Sequence, residues 1–224
     1  WFTEAAGNKI GRITPTGVIT EFPVPTPGSN PYGITTGPDG YVWFVETFGN
    51  KVGRVNGDGS ITEFPIPTAN SSPNEITIGP DGNLWFTAGG RLGRVAGDGS
   101  ITEFPVPGFS AAGITGGPDG NIWFTQFFDN KIARLNADGS VTEFEIPTVL
   151  AYPIAITMGL DRHLWFAEEG GSALGRLTLI REVTVPTSAA GPTGIAAGPD
   201  GRIWFTEYLA NKLGRMNPDG SITE

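Results

Sequence analysis

The chain has 224 residues, no cysteine and a formal net charge of −9, with 14 Lys and Arg against 23 Asp and Glu. The missing cysteines exclude disulfides, thiolate metal sites and a cysteine nucleophile, and the acidic balance argues against nucleic acid, which needs a basic footprint. High Gly (34) and Pro (19) with only 17% charged residues is turn-rich all-β composition, and no stretch approaches the roughly 18 apolar residues of a membrane helix.

Trp1-Phe2 opens a series that runs through Trp43-Phe44, Trp85-Phe86, Trp123-Phe124, Trp165-Phe166 and Trp204-Phe205, in steps of 42, 42, 38, 42 and 39 residues. A repeat of about 40 residues, with turn signals and no helical period, predicts a β-propeller with one blade per repeat. The second copy shows the unit. Gly33-Ile34-Thr35-Thr36 reads as an innermost strand A, and Gly37-Pro38-Asp39-Gly40 as a tight turn. Tyr41 to Glu46 reads as strand B, Lys51 to Val55 as strand C, Gly57-Asp58-Gly59 as a turn and Ser60 to Pro65 as strand D. The turns recur at Pro80-Asp81-Gly82, Pro118-Asp119-Gly120, Gly97-Asp98-Gly99, Ala137-Asp138-Gly139 and Pro218-Asp219-Gly220.

Within strand B the two-residue period sends Trp and Phe to opposite sheet faces, so each blade offers one large ring to each neighbour. All six pairs are expected to be inter-blade core. Strand C carries Arg12, Arg54, Arg94, Arg134, Arg176 and Arg215, and strand D carries Glu21, Glu63, Glu103, Glu143, Glu182 and Glu224. Pairing of each Arg with its own blade's Glu across the sheet is the expectation. Strands B, C and D appear six times and strand A five times, the missing one belonging before Trp1. The expectation is a single propeller domain over residues 1–224, either six-bladed or a trimmed seven-bladed ring. The unfilled strand position offers an edge for self-association.

The repeated string resembles the streptogramin lyase (virginiamycin B lyase) family. It is quoted in Gly117-Pro118-Asp119-Gly120-Asn121-Ile122-Trp123-Phe124-Thr125 and in Asn211-Lys212-Leu213-Gly214-Arg215. The resemblance covers the whole chain. It implies a seven-bladed propeller that opens a cyclic depsipeptide at its ester bond by elimination, with Mg²⁺. Such chemistry needs a base for an α-proton and a cation for the enolate-like oxygen. The family's bases are histidines in Pro-His-(Gly/Ala)-Ile, just before strand A. Here those positions hold Tyr32, Asn74, Ala112, Ile154 and Thr193. A family glutamate two residues earlier is matched by Asn30, Ser72, Ser110, Tyr152 and Gly191, none of them acidic. Trp165-Phe166-Ala167-Glu168-Glu169, followed by Leu174-Gly175-Arg176-Leu177-Thr178-Leu179-Ile180, does match, and it places Glu169, with Glu168 beside it, as the Mg²⁺-binding acid.

The only histidine, His163, falls in the turn between strands A and B, away from that end of the blade. Glu4, Glu46, Gln126, Glu168, Glu169 and Glu207 follow the Trp-Phe pairs as candidate channel-mouth residues, with Tyr32, Asn74 and Thr193 near them. Three functions follow: a metal-dependent C–O lyase on cyclic depsipeptides or lactones that lacks the family's histidines, a non-catalytic binding or scaffold propeller, and a metal-dependent lactonase. A small-molecule or peptide ligand at the channel mouth is the expected partner, without nucleic acid or membrane span. The missing cysteines do not distinguish compartments, since many secreted bacterial proteins lack them too; a secreted or extracellular location is expected, with the cytoplasm as the alternative.

Overall fold

Branched and aromatic residues set between Gly- and Asp-rich turns form strands here and nothing else. The computed structural model describes residues 1–177, 181–217 and 220–224, and among these it holds 23 strands and no helix. No helix is therefore long and apolar enough to cross a membrane among the described residues. Pro218 and Asp219 of the last expected turn, and Thr178 to Ile180 of the family-like string, lie outside the described residues.

The chain divides into two compact units, Trp1–Val106 and Pro107–Glu224. The first holds three blades. They are β1 (Phe2–Glu4), β2 (Lys9–Ile13) and β3 (Ile19–Pro23); β4 (Pro31–Thr36), β5 (Val42–Glu46), β6 (Lys51–Val55) and β7 (Ile61–Pro65); and β8 (Ile76–Ile78), β9 (Leu84–Ala88), β10 (Arg91–Val95) and β11 (Ile101–Pro105). The second unit also holds three. They are β12 (Ala111–Gly116), β13 (Ile122–Gln126), β14 (Lys131–Leu135) and β15 (Val141–Glu145); β16 (Pro153–Met158), β17 (Leu164–Glu168), β18 (Ala173–Leu177) and β19 (Arg181–Thr184); and β20 (Pro192–Ala197), β21 (Ile203–Glu207), β22 (Lys212–Met216) and β23 (Ile222–Thr223). Each blade is an antiparallel sheet in sequence order, three-stranded in the first and four-stranded in the rest. The fold is an all-β β-propeller, with six blades among the described residues.

The Trp-Phe pair works as its parity requires. In the first unit Phe44 packs with Ile10 and Val24 of the preceding blade. Trp43 packs with Ile76, Leu84 and Phe86 of the following one. In the second unit Trp123 meets Phe166, and Trp165 meets Phe205, by the same rule. Burying one such ring contributes about 2–3 kcal/mol. Strand C reads Gly-Arg because a Cβ at Gly53 would stand 2.2 Å from Phe44 Cζ, so the glycine makes room for the ring.

Two of the six tryptophans depart from the expectation. Trp1 is 45% exposed and Trp204 is half-buried, while Trp43, Trp85, Trp123 and Trp165 are 9% exposed or less. Each fully buried indole donates Nε1–H to the aspartate of its own turn: Trp43 to Asp39 at 3.0 Å, Trp85 to Asp81 at 2.9 Å, Trp123 to Asp119 at 2.9 Å and Trp165 to Asp161 at 3.3 Å. Trp1 rests on Phe22 at 5.4 Å. Trp204 belongs to the last blade of its unit, so no following blade in that unit covers its face.

The expected Arg–Glu pairing is also corrected. Arg54 lies directly opposite Thr62 and Trp43, whereas Glu63 lies opposite Gly53. Arg and Glu are thus one residue out of step and on opposite faces. Arg54 instead stacks over Trp43 at 5.4 Å and reaches Asp39 at 3.7 Å. Arg134 does the same with Trp123 at 5.5 Å and Asp119 at 3.3 Å. The strand D glutamates pair with strand C lysines on the other face: Lys9 with Glu21, Lys51 with Glu63, Lys131 with Glu143 and Lys212 with Glu224.

Those glutamates also tie neighbouring blades. The Thr26 amide and hydroxyl, in the loop leaving the first blade, both donate to Glu63 at 2.9 Å. Thr68 repeats this on Glu103 at 3.0 and 2.9 Å.

Candidate functional site

Strand B ends where strand C begins, so its last residue faces a basic side chain in most blades. The registers pair Glu4 with Lys9, Glu46 with Lys51, Gln126 with Lys131 and Glu207 with Lys212. In the other two blades Ala88 meets Arg91 and Glu168 meets Ala173. Each terminal residue shares a face with the Phe two positions earlier, which is the packed face. Glu46, Gln126, Glu168 and Glu207 are accordingly 0–1% exposed, and Glu4 is half-buried.

Their electrostatics follow from that burial. Burial first, and then the negative charge of Glu63, push the Glu46 carboxyl up to about 7, with Lys51 and Ser29 opposing. Glu207 is raised for the same reasons, burial first and then Glu224, against Lys212. In the fourth blade the equivalent residue is an amide. Gln126 Nε2 donates to Pro107 O at 2.8 Å and to Glu143 Oε1 at 3.0 Å. The amide supplies permanently the donor that a protonated Glu46 offers Glu63 in the second blade. In the second, fourth and sixth blades Glu46, Gln126 and Glu207 thus lie beside a carboxylate–lysine pair: Glu63 with Lys51, Glu143 with Lys131 and Glu224 with Lys212.

The second set lies at the start of strand A. Tyr32 is 46% exposed. Asn74 accepts from Gly33 N at 3.0 Å through its carbonyl and donates its amide to Thr87 O at 2.9 Å. Thr193 Oγ1 lies 3.1 Å from Thr206 Oγ1. Successive strands A crowd one another: a Cβ at Gly33 would lie 2.6 Å from Asn74 O. The adjoining residue escaped the sequence reading. Glu75 occupies the position held elsewhere by Gly33, Gly113, Ala155 and Gly194. Its Oε2 sits 3.0 Å from where the Gly33 Cβ would be, so the glycine leaves it room. Glu75 is half-buried, and burial pushes its carboxyl up to about 7. A single acid in a run of Gly and Ala was the signal that could have found it.

Glu169 is half-buried just beyond β17, and its amide donates to Tyr152 O at 3.3 Å. Tyr152 stacks on Phe127 with ring centroids 5.2 Å apart. Glu168 is buried beside Gly171, so the two adjacent acids differ in access to solvent. Among the described residues no group of three or more His, Cys, Asp or Glu is placed to hold a metal ion. His163 Nδ1 lies 3.3 Å from Asp161 in the turn between β16 and β17, as the sequence placed it.

Four exposed rings lie on loops at the same end of the blades. Phe48 in the first unit, and Phe109, Phe128 and Tyr208 in the second, are 74–90% exposed. Two grooves lie at the opposite, turn end of the blades. One, of about 430 Å³, is lined by Leu160, Trp165, Arg176 and Met216 in the second unit. Another, of about 510 Å³, is lined by Trp1, Arg12, Phe22 and Tyr41 in the first.

Repeated blades of antiparallel strands with Trp-Phe packing between them define a β-propeller. The virginiamycin B lyase family matches residues 1–112 and 88–224, and the chain belongs to that family. Selenomethionine-substituted virginiamycin B lyase from Staphylococcus aureus is 42% identical, with a TM-score of 0.95, over 100% of this chain and 78% of its own. A streptogramin B lyase is 41% identical, with a TM-score of 0.90, over 96% of this chain and 74% of its own. A catalytically inactive His-to-Ala variant of the Staphylococcus aureus enzyme, solved with quinupristin, is 46% identical, with a TM-score of 0.89, over 96% and 75%. No curated protein sequence matches the chain.

Proposed function

We propose that this chain binds a cyclic depsipeptide or lactone at the loop end of its blades, and that opening of the ring by an imidazole base is absent. The observation that carries the reading is the combination of 42–46% identity to lyases with a base position that holds no histidine. The inactive His-to-Ala relative solved with quinupristin supports a separation of ligand binding from imidazole chemistry. Tyr32, Asn74, Ala112, Ile154 and Thr193 offer no imidazole, and His163 lies at the turn end. Loss of a positioned base typically costs a factor of about 10²–10⁴ in rate.

Phe109, Phe128 and Tyr208 of the second unit give such a ligand apolar contact area. Glu169 is the carboxylate proposed to meet Mg²⁺. Isothermal titration with quinupristin tests the reading. Saturable binding that is weakened by Phe128→Ala supports it, and absence of binding overturns it. Titration with MgCl₂, repeated on Glu169→Gln, tests the metal assignment separately.

A further inference from the structure

The fifth blade leaves the repeat at its turn end. Four of the turns between strands A and B read Gly-Pro-Asp-Gly, ending at Gly40, Gly82, Gly120 and Gly201, whereas this one reads Gly159-Leu160-Asp161-Arg162. Arg162 takes φ 60° where those four glycines take 74–79°. A long side chain is thus held in a backbone region that favours glycine. Strand D departs as well. Opposite the strand C arginine stand Thr20, Thr62, Thr102, Thr142 and Thr223 in the other blades, and Arg181 stands opposite Arg176 here. Like charges directly across a strand pair are destabilising. Three arginines therefore share the turn end of one blade, in a chain whose net charge is −9.

Arg54, Arg94 and Arg134 reach the aspartate of their own turn at 3.7, 3.9 and 3.3 Å. In the fifth blade Asp161 lies 3.3 Å from His163 Nδ1 and accepts the Trp165 indole N–H at 3.3 Å, and among the described residues Arg176 has no carboxylate partner. Arg176 stacks over the Trp165 ring at 5.6 Å and lines the groove of about 430 Å³. The rest of that lining is chiefly aliphatic: Val183, Ile203, Met216 and Leu160, which is 63% exposed where the other four turns carry proline. Asp161 also lines the groove, but the indole and His163 already engage it, and the arginines outnumber it.

We propose that this groove is a binding site for an aliphatic monocarboxylate, with the carboxylate on the Arg176 guanidinium and the hydrocarbon against Leu160, Val183, Ile203 and Met216. The planar fork of an arginine matches a carboxylate with two parallel hydrogen bonds, which makes this head group the best fit. An aliphatic body fits better than an aromatic one, because Arg176 already covers the indole face and the other walls are branched or flexible alkyl groups. The volume lies within the range of about 300–1,000 Å³ of small-molecule pockets. The site sits at the opposite end of the blades from the loops proposed above to bind a depsipeptide or lactone, and it does not depend on that reading.

Isothermal titration of the purified chain with sodium octanoate tests the proposal, with sodium acetate and 1-octanol as the head and the tail alone. One saturable octanoate site is expected, with acetate and 1-octanol at least about tenfold weaker. Arg176→Met keeps the alkyl stem over Trp165 and should weaken octanoate at least about tenfold while leaving 1-octanol unchanged. Leu160→Asp changes an exposed side chain, so the fold should survive, and it should weaken octanoate by a similar factor. Arg54→Met, at the matching position of the second blade, should leave octanoate binding as it is. Absence of saturable octanoate binding overturns the proposal, and so does 1-octanol binding as tightly as octanoate. Unchanged octanoate affinity in folded Arg176→Met overturns it too; if that variant does not fold, unchanged affinity in Leu160→Asp does so.

Discussion

At the scale of single residues, Asp119 and Glu46 show how much a side chain's neighbours decide. Asp119 accepts the indole N–H of Trp123 and sits beside Arg134. Asp119→Ala would leave a buried donor unpaired, and a loss of about 1–3 kcal/mol is expected in urea unfolding. Glu46 gives a pH dependence. Its carboxyl is protonated in the folded state up to about 7 and has an ordinary value of 4.5 when free. Its stabilising contribution is therefore fully present below about 4.5 and is lost as pH rises through 7. The fall is on the order of 3 kcal/mol between pH 4.5 and pH 8. Glu46→Gln should flatten that slope and raise stability at pH 8, because the amide can donate to Glu63 as Gln126 does to Glu143. Denaturant midpoints at pH 5 and pH 8 for both proteins check the sign. This role was only half legible in the sequence. A row of acids after Trp-Phe reads as a charged rim, and Gln126 among them was the one hint that the position wants a hydrogen-bond donor.

At the scale of elements, register explains what spacing alone could not. The turns, the strand order and the faces of Trp and Phe were readable, because a period of two and a repeat near forty leave little freedom. The partners of the arginines were not. Gly-Arg on strand C and Thr-Glu on strand D look paired along the chain, yet Arg54 opposes Thr62, and one residue of offset sends Glu63 to the other face. There Glu63 meets Lys51 and holds the Thr26 loop of the neighbouring blade. Glu63→Ala should therefore cost more than the surface ion pair would suggest, about 1–3 kcal/mol, because three donors lose their acceptor. Lys51→Met, which keeps the two Thr26 bonds, should cost less. A double-mutant cycle between Thr26 and Glu63 separates the loop contribution from the ion pair.

At the scale of the whole molecule, the fold was legible because it is written six times, whereas a departure from the repeat is written once and is easily missed. Glu75 breaks the repeat at a single position of strand A, and a reader averaging over blades passes over it. The repetition has another consequence. Strands β3, β7 and β11 carry the same five residues, Ile-Thr-Glu-Phe-Pro. Each must find the right strand C out of β2, β6 and β10, which read Lys-Ile-Gly-Arg-Ile, Lys-Val-Gly-Arg-Val and Arg-Leu-Gly-Arg-Val. Local pairing energy can hardly tell these matches apart, so only the short turn joining each strand to its partner enforces the correct one. Cutting the chain at Gly57-Asp58-Gly59 would remove that tether. The outer strands of the first unit would then become interchangeable parts, free to trade places during refolding.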